Sequence, residues 1–433
     1  MAERLDREAR MGAPRRRWGI AWLLGIGVLV NYFDRVNLSV SRDSLIAAFG
    51  INNVVFGYLS SAYNWTYAAC QLPVGVILDR LGVRRVGRAG AFLWSVASLA
   101  AAATPNVAGL FGARFLLGVG EAPTFPANAK AIGLWFPPRE RSLATSLFDS
   151  AAKFAPAVGI PLLGAVVVAA GWRWSFALTG AISLAYCFLF WRIYRDPNED
   201  PALSEAERRC LEEHDEPEET SASSGEARSS SLLELLGTRK VVGLALGFGA
   251  YNYVFFLLLY WLPSYLSSAL RVDLLHSSIY SSVPWLLAAA ADLAIGGWLV
   301  DFLIRRGRNA GRVRRAVLIA GTALGLGILG AVGARTATRA LVWIGVSIAG
   351  LSAAAPVAWS LPSLIAARND VGKVGGIVNF SGQVSGIAAS IATGYLVTAR
   401  AYGWVFSAAA IYLAVGVAAY LFLLGKIERL APR

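Results

Sequence analysis

Three ionisable residues stand in or at the end of long apolar stretches. Asp34 and Arg35 close a hydrophobic run beginning at Trp18, in N-Y-F-D-R-V-N-L-S (Asn31 to Ser39). Glu121 lies in a second run, R-F-L-L-G-V-G-E-A-P (Arg114 to Pro123). An isolated ion in hydrocarbon is costly, so a carboxylate beside a guanidinium at the end of such a run points to a polar chamber. The plainer alternative is that both side chains snorkel to the headgroups, since helix from Trp18 reaches Asp34 after roughly 24 Å. A guanidinium suits the capture of a carboxylate. Its planar fork makes two parallel hydrogen bonds and its charge does not titrate.

Other polar side chains recur at helical spacing. Arg114 lies seven residues, about two turns, before Glu121, so the two share a face, with Arg114 either a candidate substrate-binding residue or a structural partner of Glu121. Asp149 and Lys153 form an i, i+4 pair within an apolar run, either as structural glue or with Lys153 as a second cation for an anionic ligand. Asp292, in A-A-A-A-D-L-A-I-G-G, precedes Asp301 by nine residues, about 13.5 Å of helix rise, which puts it near mid-depth. It is an interhelical hydrogen-bond acceptor, a hydroxyl acceptor or a further titrating group. Tyr63, Tyr67 and Gln71 repeat every four residues, as do Asn379 and Gln383, and Tyr32 adjoins the Asp34–Arg35 pair. With Trp359, these offer the hydroxyl, amide and ring surfaces that orient a polyol or sugar ring. Trp261 is better explained by packing near a membrane surface.

The elements that must position these groups are membrane helices. Of 433 residues, 56% are hydrophobic and 15% charged, too little polar surface for a soluble globule. Arg15, Arg16 and Arg17 lead into an apolar run without a small-residue cleavage site, so the first span is expected to remain. Three cysteines (Cys70, Cys187, Cys210) are too few for a disulfide framework and are expected as thiols. Apolar runs place six spans at 18–38, 53–78, 87–104, 107–130, 142–168 and 173–194. Six more follow at 241–268, 277–303, 315–334, 339–365, 374–399 and 403–425. Between them, 195–240 is a polar linker. Residues 1–17 form an N-terminal arm and 426–433 a tail.

The net charge of +13 is distributed by topology rather than gathered for nucleic acid, and no nucleic-acid partner is expected. Loops 79–88, 130–141, 304–315 and 366–373 hold fifteen Lys and Arg, whereas the opposite loops hold six. The arginine-rich side is therefore expected to be cytoplasmic, with both termini on it and the bilayer of the inner membrane around the spans. G-V-I-L-D at Gly75 to Asp79 recurs as G-W-L-V-D at Gly297 to Asp301. Near an offset of 230, S-L-F-D-S (146–150) matches G-I-V-N-F (376–380) and Gly164 matches Gly394. Two parallel repeats about an axis normal to the membrane are expected, with ligand bound between them. The fold expectation is an all-α membrane protein, twelve transmembrane helices in two six-helix pseudo-symmetric bundles.

Gly75 to Arg85 reads G-V-I-L-D-R-L-G-V-R-R. It resembles the signature loop of the major facilitator superfamily, a conformational latch here comprising Gly75, Asp79, Arg80, Gly82 and Arg84. The second copy keeps Asp301 but has Phe302 and Ile304 where polar or small residues would repeat, so a weaker latch is expected. The blocks around Asp34 and Glu121, with W-F-P-P-R-E-R-S-L-A and Y-W-L-P-S-Y-L, look like the anion:cation symporter family within that superfamily, and Asp292 is similar to its hexuronate-like branch. The resemblance implies proton-coupled symport of an organic anion, a sugar acid such as a hexuronate, hexonate or aldarate. It makes Asp34 and Glu121 the proton-binding carboxylates and Arg35 the partner of the substrate carboxylate. No cofactor is implied beyond protons as the coupling ion, and a monomer is expected. An anion exchanger or polyspecific exporter of the same fold is the rival. A membrane-embedded enzyme finds no support, because His214 and His276 are the only histidines and no nucleophile elbow or metal-ligand spacing occurs.

Overall fold

The computed structural model describes residues 16–212, 231–366 and 370–428, and among them every regular element is a helix. Lipid offers no hydrogen bonds to a backbone, so spanning segments must satisfy their own amides internally. Among the described residues nine helices are long and apolar enough to cross a membrane, and there are ten if Arg42–Phe49 and Asn53–Gln71, bent by 119°, count as one span. Val107–Glu121 followed by Thr124–Trp135, and Val371–Thr398, complete the twelve. Several spans start on side-chain caps: Asn52 accepts from the Val55 amide, Asn106 from Gly109, Asp273 from His276 and Thr336 from Arg339.

Four spans differ from the sequence expectation. The second and third form one helical stretch, Asn53–Ala103, interrupted where Gly82 adopts φ 75° and ψ 167°, a conformation essentially reserved for glycine. The fourth extends to Trp135 and breaks after Glu121, where Pro123 supplies no amide hydrogen. The eighth begins at Leu274 and widens into a π-helix over Asp292–Leu299, opening at the one carboxylate in its apolar interior.

Within the first half, span one packs on span five, and spans two and three pack on four and six. Within the second, span seven packs on eleven and twelve, and ten on eight and nine. The halves meet where two packs on eleven, five on eight and one on seven. The repeat is visible at these seams. A Cβ on Gly164 of span five would fall 2.4 Å from Ser278 Oγ of span eight, and one on Gly394 of span eleven 2.6 Å from the Asn53 carbonyl of span two. The matched glycines thus let equivalent helix pairs approach.

The far end, opposite the arginine loops, holds a polar seam between the halves. Ser39 Oγ donates to the Tyr260 carbonyl at 3.0 Å, Ser267 Oγ to Asp43 at 3.4 Å, and Arg42 lies over the Trp261 and Phe56 rings. At the arginine end the start of the linker is strapped to the first half. Arg16 Nε donates to Asp200 at 2.9 Å, and Arg84 pairs with Glu199. Short helices occur at Glu205–Glu212 and Leu232–Leu236. The expected arm up to residue 15, the linker centre 213–230 with His214, Arg368 and residues 429–433 lie outside the described residues. Cys70 and Cys187 are free thiols.

Candidate functional site

A cavity enclosing about 560 Å³, including its solvent mouth, lies between the halves. Span one contributes Tyr32 and Arg35, span two Tyr67, span five Asp149 and Lys153, span ten Trp359, and span eleven Asn379 and Gln383. These were expected from sequence. Gln71 stands one bond away, accepting from Asn379 Nδ2 at 2.9 Å across the seam between spans two and eleven.

Consecutive residues on a helix diverge by about 100°, and this separates the Asp34–Arg35 pair. Arg35 faces the cavity, while Asp34 points into the first bundle and lines no part of the cavity wall. Its carboxylate accepts from Ser98 Oγ and Ser183 Oγ, each at 2.7 Å, tying span one to spans three and six. Arg35 Nε donates to Glu121 Oε2 at 2.9 Å, with both side chains buried. The guanidinium is cradled by rings, 4.3 Å from the Tyr32 centroid, 4.7 Å from Tyr63 and 5.6 Å from Tyr67, an arrangement that favours a partly desolvated cation. Among the described residues, neither its buried Nη2 nor the buried Glu121 Oε1 has a hydrogen-bond partner.

The structural pair considered for Arg114 and Glu121 does not form. Glu121 turns to Arg35, and Arg114 donates to the Asp34 carbonyl at 3.3 Å and the Tyr260 hydroxyl at 3.5 Å, behind the cavity wall. Lys153 Nζ hydrogen bonds Asp149 Oδ2 at 2.7 Å. It also stands 2.7 Å from Asp292 Oδ2, an ionic approach off the hydrogen-bond direction, which carries the cluster across the seam between spans five and eight. Trp359 packs edge-on against Phe248, with centroids 5.0 Å apart, and keeps 39% of its surface exposed. Trp261 lies at the far end against Phe56, away from the cavity.

Sequence reasoning missed the wall from span seven, namely Phe248, Tyr251, Asn252, Phe255 and Phe256, and Phe125 from span four. Phe248, Asn252 and Phe255 do follow helical spacing. That signal is hidden because every residue from Gly247 to Leu266 is buried, so no face of the helix stands out.

At the arginine end the latch differs from its expected form. Asp79 pairs with Lys130 of span four at 2.7 Å rather than with arginines of its own loop, and Arg84 reaches Glu199 of the linker. Open space surrounds Gly75, so no neighbouring helix packs closely against it. Arg80 is exposed. Asp301 is exposed too, and its carbonyl accepts from Arg305 Nε at 3.4 Å. Among the described residues no group of three His, Cys, Asp or Glu side chains could hold a metal ion.

Comparison with known proteins fits this arrangement. Residues 24–389 match the family model of the Major Facilitator Superfamily. A D-galactonate transporter of Escherichia coli O6:H1 is 31% identical over 425 residues, 96% of this chain and 97% of its own. The probable galactarate/D-glucarate transporter GudP of Escherichia coli (strain K12) is 28% identical over 427 residues, 96% of this chain and 94% of its own. A bacterial homologue of the human lysosomal transporter Spinster, solved inward-facing and unoccupied, superposes with a TM-score of 0.75 at 15% identity, covering 98% of this chain and 100% of that one. The relatives are transporters, not enzymes, and the chain belongs to the Major Facilitator Superfamily.

Proposed function

We propose that the chain carries an organic anion of the sugar-acid kind into the cell together with protons, by alternating access, with the arginine-rich face and both termini cytoplasmic. One observation carries this reading. Arg35 lines the cavity, gives only its Nε to Glu121, and keeps Nη2 buried and unpartnered. A buried donor without a partner is costly, and an arriving carboxylate would satisfy it.

Charge balance supplies the coupling. Arg35 and Glu121 neutralise each other at rest, so a bound carboxylate leaves one negative charge in a poorly solvated site. A proton on Glu121 removes that charge and frees the Nε of Arg35. Uptake of a monoanion against an inside-negative potential costs about 2.3 kcal/mol per 100 mV. One proton cancels the translocated charge and a second makes uptake electrogenic, and we assign the second to Asp34, buried beside Arg35 on span one. Protonating Asp34 weakens its two serine hydrogen bonds and loosens span one from spans three and six. The polar seam at the far end supports a state closed to the outside.

Uptake of D-galactonate into proteoliposomes under an inward proton gradient tests the proposal. Accumulation above the external concentration is expected. Exchange with preloaded anion that ignores the proton gradient would replace symport by the exchanger reading.

A further inference from the structure

Resting on that reading, we infer that the cavity selects acids with one carboxylate and a hydroxylated far end, and that Asp149 and Asp292 act as the filter that refuses dicarboxylates. Two cations, Arg35 and Lys153, line the cavity, and a dianion would ordinarily use both. Arg35 keeps a terminal nitrogen without a partner among the described residues, whereas the charge of Lys153 is already countered within its own cluster. Lys153 is claimed twice, with Nζ 2.7 Å from a carboxylate oxygen of each aspartate, and its side chain is 4% exposed against 18% for Asp149. What this wall shows the cavity is carboxylate more than ammonium. Two acids and one base leave the cluster net negative, so a second substrate carboxylate placed here meets repulsion in a low-dielectric setting.

The neutral groups beside it point the same way. Gln383 lines the cavity and its Oε1 is buried with no donor. That oxygen and the Asp149 carboxylate are acceptors, which a hydroxyl can satisfy and an ionised carboxylate cannot. A site built to bond hydroxyls rejects an analogue lacking them far more strongly than an apolar pocket rejects a change of size. The equivalent seam between spans two and eleven is closed by the uncharged Gln71–Asn379 pair, so the negative excess belongs to the span five and eight side alone.

The test is calorimetric titration of the purified full chain with D-galactonate and with galactarate. In the unaltered protein the monocarboxylate is expected to bind at least tenfold more tightly. In Asp149→Asn and Asp292→Asn the ratio should shrink several-fold, and in the double variant, where Lys153 is released, it should approach unity or invert. Equal affinities in the unaltered protein would overturn the filter without need of any variant, as would an unchanged ratio in a folded double variant. Binding of neither acid alongside retained binding of neutral D-galactose would overturn the anion reading itself, and the filter with it.

Discussion

Replacing Arg35 by lysine keeps the charge and removes the fork. The native guanidinium gives its Nε to Glu121 at 2.9 Å and keeps Nη2 without a partner, on a side chain that lines the cavity. An ammonium lacks that fork: one nitrogen has to approach Glu121 and the substrate together, and it makes no bidentate bond to a carboxylate. Losing one charge-assisted hydrogen bond costs about 1.5–3 kcal/mol. That corresponds to a ~10- to 150-fold rise in Kd for D-galactonate. Part of the ring cradle formed by Tyr32, Tyr63 and Tyr67 is also lost, which adds to the effect. Adding Glu121→Gln to Arg35→Lys removes the competing carboxylate, so the double variant should recover some of the lost affinity. Calorimetry on protein that elutes as a single species reads both numbers. A Kd within threefold of the original, or a double variant weaker than the single, would refute the division of donors between Glu121 and substrate.

Further expectations follow from the same contacts. Glu121→Gln should retain counterflow of D-galactonate while losing accumulation driven by a proton gradient, and a variant that still concentrates substrate would remove Glu121 from the coupling step. Gly164→Val places a side chain where the Cβ alone lies 2.4 Å from Ser278 Oγ, so spans five and eight cannot close, and transport should fall at least tenfold with membrane insertion intact. Cysteine labelling at the far-end seam should rise in that variant, and unchanged labelling would contradict the assigned seam. Gly82→Ala forces a Cβ into a glycine-only conformation at a cost of about 1–3 kcal/mol. It should lower the melting temperature of the detergent-solubilised protein without altering substrate preference.

Much of the membrane architecture was legible in the sequence because bilayer thickness dictates run length and the backbone has no other way to satisfy itself in lipid. Twelve apolar runs could be counted, and the recurrence of Gly164 as Gly394 pointed to two related halves. The site was legible to the extent that charge in hydrocarbon is expensive: Arg35, Asp149, Lys153 and Asp292 were conspicuous for that reason alone. Tyr251 and Asn252 were not, because the span that carries them is buried on all sides and its polar face leaves no periodic trace.

Sequence by itself determined that this is a helical membrane protein in two related halves with a few ionisable groups at depth, since composition and run length decide what can enter a bilayer. Only the tertiary structure decided the partners. It turned Asp34 toward two serines and Arg35 toward the cavity, gave Glu121 to Arg35 rather than to Arg114, and set Lys153 between Asp149 and Asp292 on opposite halves. The reason is that which side chains meet depends on how helices distant in the chain are rotated and packed, and spacing along one helix carries no information about the face its neighbour presents.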